Sequence, residues 1–166
     1  ARSPPMQVTR LDIAGLRRIL QNNRVIAVVG LSANWHRPSY FAAKYLLEHG
    51  YTIIPVNPGQ SEILGQKCYA SLVEIPQKVD IVDCFRKPED IPPLAEQAIA
   101  IGAKVFWLQL GVIHQDAARR ASAAGLEVVM DRCVKIEHAR LFGGLHWAGV
   151  NTGIVSAKRP PCPPVV

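Results

Sequence analysis

The strongest constraint on the fold of this chain is a predicted strand–helix–strand unit between residues 25 and 57, which has the sequence VIAVVGLSANWHRPSYFAAKYLLEHGYTIIPVN. Val25–Val29 is a continuous apolar run rich in β-branched residues, which is typical of a strand buried on both faces. Pro38 suits the first position of a helix, and Gly50 marks its end. A second apolar run covers residues 51–56. Because two parallel strands need a long crossover, this pattern predicts a parallel βαβ unit.

The same alternation continues to residue 142. Further strands are predicted over residues 79–85, 105–108 and 126–130, and further helices over residues 11–20, 91–99, 115–124 and 134–142. Between the second and third strands, we expect a short strand at residues 67–69 and a helical turn at 71–74. The pattern predicts the α/β class: a Rossmann-like, doubly wound parallel sheet of about five strands with helices on both faces. The Gly- and Pro-rich residues 143–166 are expected to form a surface-laid or disordered C-terminal extension.

The turn after the first strand is a candidate anion site. A helix that begins directly after a buried strand directs its free N–H groups and positive dipole end toward the carboxyl edge of the sheet. In the dinucleotide fingerprint G-x-G-x-x-G, the three glycine positions hold Gly30, Ser32 and Trp35 here. The second strand is followed by Asn57, where an NAD site has a carboxylate. The turn therefore favours a nucleotide other than NAD, although a glycine after a strand can also be simple turn chemistry.

Charge and hydropathy exclude other classes. The formal net charge is +6 and the isoelectric point is near 9.4, but the basic residues are scattered and no run interleaves them with aromatic residues. This favours attraction for small polyanions over nucleic-acid binding. No apolar run approaches the roughly 20 residues of a membrane span, and the N-terminus lacks an apolar signal core. We therefore expect a cytoplasmic protein with no membrane association.

No residue pattern points to catalysis or to a metal. The cysteines are too widely spaced for a zinc or disulfide framework; they are Cys68, Cys84, Cys133 and Cys162. The five histidines lack metal-ligand spacing. His138 is expected to be a packed helix residue and Cys133 a buried thiol, and nothing marks Asp80 and Asp83 as an acid and base pair.

Four segments follow the apolar runs and carry polar or proline-fixed groups: GLSANWHRP, PVNPGQ, CFRKPED and LQLGV. In a parallel sheet, these segments would meet at the carboxyl edge, where ligands bind. Three further motifs lie among and after these segments: RPSY, G-x-K-x-Y-x-S-L and DRCVKIEH. In their order along the chain, the segments and motifs resemble the coenzyme A-binding domain family. Its members are the stand-alone relatives of the N-terminal domain of the succinyl-CoA synthetase alpha subunit. The resemblance covers residues 15–138, and the later NTGIVSAKR is similar to the family's tail.

The resemblance implies that coenzyme A lies across the carboxyl edge of a Rossmann-like sheet formed by residues 1–142. By position, the pyrophosphate would be met by Gly30, Leu31, Ser32 and Arg37. The adenosine end would lie beside Asn57, Pro58 and Gln60. The adenine or pantetheine would pack against Phe85, Arg86 and Pro88, and the arm leading to the thiol would border Gln109 and Gly111. In the synthetase, a lysine that helps with the 3′-phosphate matches Gln60, so this chain departs from the pattern there. Arg86 has an alternative role, since it could pair with Glu89 or Asp90 on its own loop.

These observations favour a module that binds coenzyme A or acyl-CoA reversibly and has no chemistry of its own. One alternative is an NAD(P)-dependent oxidoreductase. Another is a subunit of a multi-chain acyl-CoA synthetase, because the synthetase's phosphohistidine domain has no counterpart in this sequence. A nucleic-acid binder is the least favoured class because the charge is diffuse. A protein partner and a homo-oligomer both remain open.

Overall fold

Residues 13–142 contain seven strands. The computed structural model describes residues 13–142. In chain order the strands are β1 (Val25–Val29), β2 (Thr52–Val56), β3 (Glu62–Ile63), β4 (Gln66–Lys67), β5 (Ile81–Cys84), β6 (Val105–Leu108) and β7 (Glu127–Val129). Five of them form one parallel sheet in the order β2-β1-β5-β6-β7. The other two, β3 and β4, pair as a separate antiparallel hairpin.

Helices cover both faces of the sheet. They are α1 (Ile13–Asn22), α2 (Pro38–Glu48), α3 (Ile91–Ala100), α4 (Gln115–Ala123) and α5 (Val134–Phe142). One core cluster contains buried residues of α1, α2 and α5, such as Leu16, Leu46 and Leu141. The cluster on the opposite face contains buried residues of α3 and α4, such as Ala95 and Ala118. This arrangement confirms the predicted Rossmann-like α/β fold, and none of the helices within residues 13–142 is long and apolar enough to cross a bilayer.

The order of the strands creates a crevice between β1 and β5. The chain passes from β1 outward to β2 and then returns to β5 on the other side of β1. The loops that leave β1 and β5 therefore run toward opposite sides of the sheet, and ligands of open α/β sheets bind at this kind of switch point. The fold thus selects the segments after these two strands, together with their neighbours, as the candidate site.

The β3–β4 hairpin differs from the predicted single strand at residues 67–69. Its two-residue turn is Leu64-Gly65, and both residues have positive φ values, 55° and 73°. In sequences, such a turn is usually indicated by Asn-Gly or Asp-Gly. A leucine in the first position does not indicate one, so the hairpin was not predicted. The predicted extension at residues 143–166 and the first two residues of the predicted leading helix lie outside the described residues.

Candidate functional site

Gly30 is the point where the loops after β1 and β5 touch. Its φ is +83°, and its N–H donates to the Val56 carbonyl at 3.0 Å. A Cβ atom at this position would lie 2.4 Å from the Phe85 carbonyl oxygen and 2.9 Å from Cδ of Arg86. Both the backbone conformation and the close approach require glycine. Gly30 therefore does more than end the strand, since it lets the two loops meet at the switch point.

Asn57 fixes the loop after β2 to the same junction. Its side-chain Nδ2 donates to the Leu31 carbonyl at 2.9 Å, and its Oδ1 accepts the N–H of Gly59 at 2.8 Å. The side chain of Leu31 is fully buried in the core, so this residue presents only its backbone to the junction. The loops after β1, β2 and β5 are thereby held as one unit. We name this unit the three-loop junction, comprising Gly30, Leu31, Asn57, Phe85 and Arg86.

The segment between Gly30 and α2 has a defined shape. The N–H of Ser32 donates to Oγ of Ser39 at 3.0 Å, and Oγ of Ser32 accepts the N–H of Asn34 at 3.0 Å. Because a hydroxyl that accepts a hydrogen bond still has its own proton, Ser32 can donate to an anion. Helix α2 follows Arg37 directly, and the Arg37 side chain makes no capping hydrogen bond to it. The guanidinium of Arg37 is exposed and forms no ion pair within residues 13–142.

The loop after β5 contains the predicted residues Phe85, Arg86 and Pro88. Phe85 is half-buried and packs on the core, whereas Pro88 is exposed and begins a short 3-10 turn. Arg86 lies 3.4 Å from Asp90, so the predicted alternative of an ion pair within this loop is observed. Both side chains are nearly half exposed, and exposed ion pairs contribute little to stability. Arg86 therefore keeps its charge at the edge of the sheet and stays available to an anion.

The two predicted residues that follow β6, Gln109 and Gly111, differ in burial. Gln109 is only 3% exposed, and its Nε2 donates to Oδ1 of Asp83 on β5. Gly111 is exposed, and its N–H donates to Oδ1 of Asp131 in the loop after β7 at 2.7 Å. The structure thus brings Gly111 to the surface at this edge and places Gln109 beneath it. The remaining predicted residues, Pro58 and Gln60, are exposed on the loop after β2.

Sequence reasoning did not single out Ser39, Asp131 or a role for Asp83. Ser39 is buried and bonds to the candidate anion turn, and Asp131 holds the loop that contains Gly111. The polar residue within the apolar strand sequence IVDC was a signal for Asp83, because a buried carboxyl needs a partner. Ser39 lies in RPSY and Asp131 in DRCVKIEH, two motifs that carry the family resemblance, but neither residue type by itself indicated a role, since both are common at helix starts and in turns.

The charges at this edge favour an anion. Basic side chains in the loops after the sheet strands are Arg37, Arg86, Lys87 and Arg132, of which Arg132 pairs with Glu137 of α5 at 3.5 Å. The acidic ones are Glu89, Asp90 and Asp131. The N-termini of the helices that follow these strands lie at the same edge, and their dipoles add positive potential. Within residues 13–142, no group of three His, Cys, Asp or Glu side chains could hold a metal ion.

The thiols near this edge do not have the lowered pKa of a reactive cysteine. Burial raises the pKa of the Cys133 thiol, although N–H groups of Ile136 and Lys135 act in the opposite direction. Burial also raises the pKa of Cys84. His138 lies away from this edge, beside His49 and Tyr51 at the end of α2; it is packed as predicted, with its Nδ1 hydrogen-bonded to the Tyr45 hydroxyl at 2.9 Å, and burial lowers its pKa to about 4. A thiol with a raised pKa is a weak nucleophile, so neither cysteine is activated.

Known proteins share long stretches of this sequence. The family model described as "CoA binding domain" matches residues 24–139. The uncharacterised protein YneT of Bacillus subtilis is 43% identical over 126 residues, which cover 76% of this chain and 93% of YneT. Subunit alpha of the ADP-forming acetate–CoA ligase I of Pyrococcus furiosus is 37% identical over 92 residues; the match covers 52% of this chain but only 20% of that subunit.

Solved structures share the fold. A hypothetical protein from Pyrococcus horikoshii superposes with a TM-score of 0.79 at 43% identity, covering 86% of this chain and 99% of its own. A Thermus thermophilus protein superposes with a TM-score of 0.77 at 36% identity, covering 80% of this chain and all of its own. Together with the family match over residues 24–139, these similarities show that the chain belongs to the CoA-binding domain family.

Proposed function

We propose that this protein binds coenzyme A or an acyl-CoA at the carboxyl edge of its sheet and carries out no chemistry of its own. The observation that carries this proposal is the three-loop junction. Gly30 lets the loop after β5 approach the candidate anion turn, and Asn57 holds the loop after β2 against it. An extended nucleotide with several phosphates needs such a continuous edge, which supplies backbone N–H groups and cationic side chains together.

In this proposal the pyrophosphate lies at the anion turn. Gly30 and Ser32 supply backbone and hydroxyl groups, and the exposed Arg37 adds charge at the N-terminus of α2. The adenosine end extends along Pro58 and Gln60. The pantetheine arm runs past the loops that contain Arg86 and Gly111. Gln109 supports this part of the site from below, because its side chain is buried.

The first prediction is that coenzyme A binds and NADH does not. An NAD site needs a carboxylate that accepts from the ribose hydroxyls, whereas both polar atoms of the Asn57 side chain are already bonded to Leu31 and Gly59. Titration calorimetry with coenzyme A, acetyl-CoA and NADH, at one salt concentration, measures this directly. Binding of NADH as tight as that of coenzyme A would instead support an NAD(P)-dependent oxidoreductase.

The second prediction concerns Ser32. Ser32→Ala removes one hydrogen bond to a charged phosphate, which is worth about 1.5–3 kcal/mol, so affinity for coenzyme A should fall roughly tenfold to a hundredfold. Ser32→Asp should weaken binding further because it adds repulsion. Calorimetry gives the affinities, and the melting temperature without ligand serves as the control, since Ser32 bonds only to local groups. Unchanged affinity in the aspartate variant would place the phosphates elsewhere.

A second candidate function is membership of a multi-chain acyl-CoA synthetase. It is favoured by the 37% identity to a ligase subunit alpha, of which this chain covers 20%. The other reactions of such an enzyme would then require a partner chain. Affinity purification from native cells tests this possibility, because a synthetase partner should co-purify in a fixed ratio. Purification of the chain alone would favour the stand-alone binding module.

A further inference from the structure

Asp83 and Gln109 form a buried polar pair beneath the candidate site. Asp83 lies on β5 and is fully buried, and Gln109 directly follows β6 and is 3% exposed. The register neighbours of Asp83 on β1 and β6 are Val28 and Trp107. Both neighbours belong to the core cluster that α1, α2 and α5 cover. The pair therefore lies in an apolar environment, one to two residues before the loops that contain Arg86 and Gly111.

The hydrogen bonds of this pair are incomplete if Asp83 is ionised. Nε2 of Gln109 donates to Oδ1 of Asp83, while Oδ2 of Asp83 and Oε1 of Gln109 lack partners within residues 13–142. An ionised carboxylate and an amide oxygen are both acceptors only, so neither can satisfy the other. Two unpaired acceptors in the core would destabilise the fold substantially. A single proton on Oδ2 would serve both atoms.

We propose that Asp83 carries a proton in the folded protein and donates it from Oδ2 to Oε1 of Gln109. The two side chains then form a closed pair with two hydrogen bonds, in which the acid donates to the amide oxygen and the amide donates to the acid. This pair joins the carboxyl ends of β5 and β6. Asp83 is thus a neutral positioning residue for the two loops that follow.

The surroundings of Asp83 support a neutral acid. Burial raises its pKa to about 7, and the bond from Gln109 opposes this only in part. The titratable groups that interact with it are thiols, Cys84 on the same strand and Cys133 before α5, and the carboxyl raises the pKa of both. Lys135 tends to lower the pKa of Cys133, but it contributes nothing detectable to the pKa of Asp83. Among residues 13–142, no cation offsets the cost of a buried charge at this position.

Asp80, three residues earlier, provides a matched contrast. Its Oδ2 accepts the N–H groups of Arg24 and Val25 at 3.0 and 3.1 Å, and its Oδ1 lies 3.6 Å from Nζ of Lys104. Burial tends to raise the pKa of Asp80, but these hydrogen bonds and the lysine outweigh it and lower the pKa overall. Two aspartates of one chain segment should therefore show opposite pH dependences of stability.

The signs follow from proton linkage. Between the ordinary pKa and the raised value near 7, folding takes up a proton at Asp83, so its contribution to stability falls as pH rises through this range and is constant above it. For Asp80, the unfolded chain binds the proton more tightly. Its contribution is therefore present above the ordinary pKa and is lost in acid.

Asparagine variants test the proposal. Asp83→Asn mimics the protonated acid, because its Nδ2 can donate to Oε1 of Gln109 while its Oδ1 accepts from Nε2. We expect this variant to match the wild type near about pH 4 and to melt at a higher temperature above about pH 7. Asp80→Asn should melt lower than the wild type at neutral pH and converge with it in acid. A melting temperature for Asp83→Asn that lies below that of the wild type above pH 7 would overturn the proposal.

Infrared spectroscopy of the wild-type protein provides a measurement that does not require the variant to fold. A protonated carboxyl should contribute its own carbonyl band at about pH 6, which disappears on titration through a midpoint near 7. Asp83→Asn should lack this band, whereas Asp80→Asn should retain it. A wild-type spectrum without any protonated carboxyl band at that pH would show that Asp83 is ionised. Neither measurement uses coenzyme A, so failure of this proposal is distinguishable from failure of the proposed function.

Discussion

Gly30→Ala is expected to destabilise the apo protein by about 2–5 kcal/mol and to abolish measurable coenzyme A binding. The left-handed backbone conformation at φ +83° accounts for about 1–2 kcal/mol of this loss. The rest arises because a Cβ atom would lie 2.4 Å from the Phe85 carbonyl oxygen, which belongs to the backbone and cannot rotate away. The loops after β1 and β5 must therefore separate. Chemical denaturation measures the loss of stability, and calorimetry measures the loss of binding.

Gly111→Ala is the matched control for this prediction. Gly111 has nearly the same φ, +84°, but a Cβ atom there would meet no other atom within 4 Å. Only the conformational cost of about 1–2 kcal/mol should apply. The difference between the two variants isolates the close approach of the loops. Equal losses of stability would mean that the contact at Gly30 relaxes without cost and that the three-loop junction is not a fixed unit.

The central part of the fold could be predicted from the sequence because its signals are local. Val25–Val29 and Val105–Leu108 were predicted with the bounds that are observed, since each is a continuous apolar run between polar residues. The fifth helix, Val134–Phe142, was predicted equally well. The third predicted strand was too long at both ends, because the apolar residues Val79 and Phe85 lie just outside β5. Val79 is buried although it precedes β5, and the Phe85 N–H still donates to the Val29 carbonyl at 2.8 Å, so hydrophobicity alone does not mark where the strand ends.

The site could be predicted only to the level of the sheet edge. Parallel topology predicted that the loops after the strands meet, and Gly30, Asn57 and Arg86 lie at one junction. The bonds that define the junction join residues distant in sequence, such as Asn57 to Leu31, which lie 26 positions apart. Likewise, nothing local indicated that the Gln109 side chain would be buried against Asp83 instead of facing the edge. Such contacts depend on strand order, which a single sequence does not specify residue by residue.

His138 adds a second proton-linked group, which acts against Asp83 over an overlapping pH range. Burial is the main cause that lowers the pKa of His138 from 6.5 to about 4, with smaller contributions from His49 and Arg24. Its ring also contacts Tyr51 and Phe142, with centroids 5.4 and 5.0 Å away. The unfolded chain binds a proton at His138 more readily than the folded chain. Stability from His138 is therefore complete above about pH 6.5 and is lost as pH falls toward 4.

The expected loss from His138 in acid is about 3 kcal/mol, because each unit of pKa shift corresponds to about 1.4 kcal/mol. Asp83 changes stability in the opposite direction between the same limits, so the wild-type profile should be flatter than either group alone would make it. The double variant Tyr45→Phe/His138→Phe removes the histidine and its hydroxyl partner together, which avoids an unpaired buried group.

Denaturation of this double variant from about pH 7 to pH 4 should reveal the contribution of Asp83 without the opposing histidine. The double variant should gain stability relative to the wild type as the solution becomes more acidic, by up to about 3 kcal/mol. Adding Asp83→Asn to the double variant should also remove the opposing pH dependence that Asp83 contributes. The remaining dependence of stability on pH then reports the other carboxylates. If the stabilities of the double variant and the wild type instead changed in parallel over this pH range, His138 would titrate at its ordinary pKa. Its packing on α5 against α2 would then not exclude the charged ring.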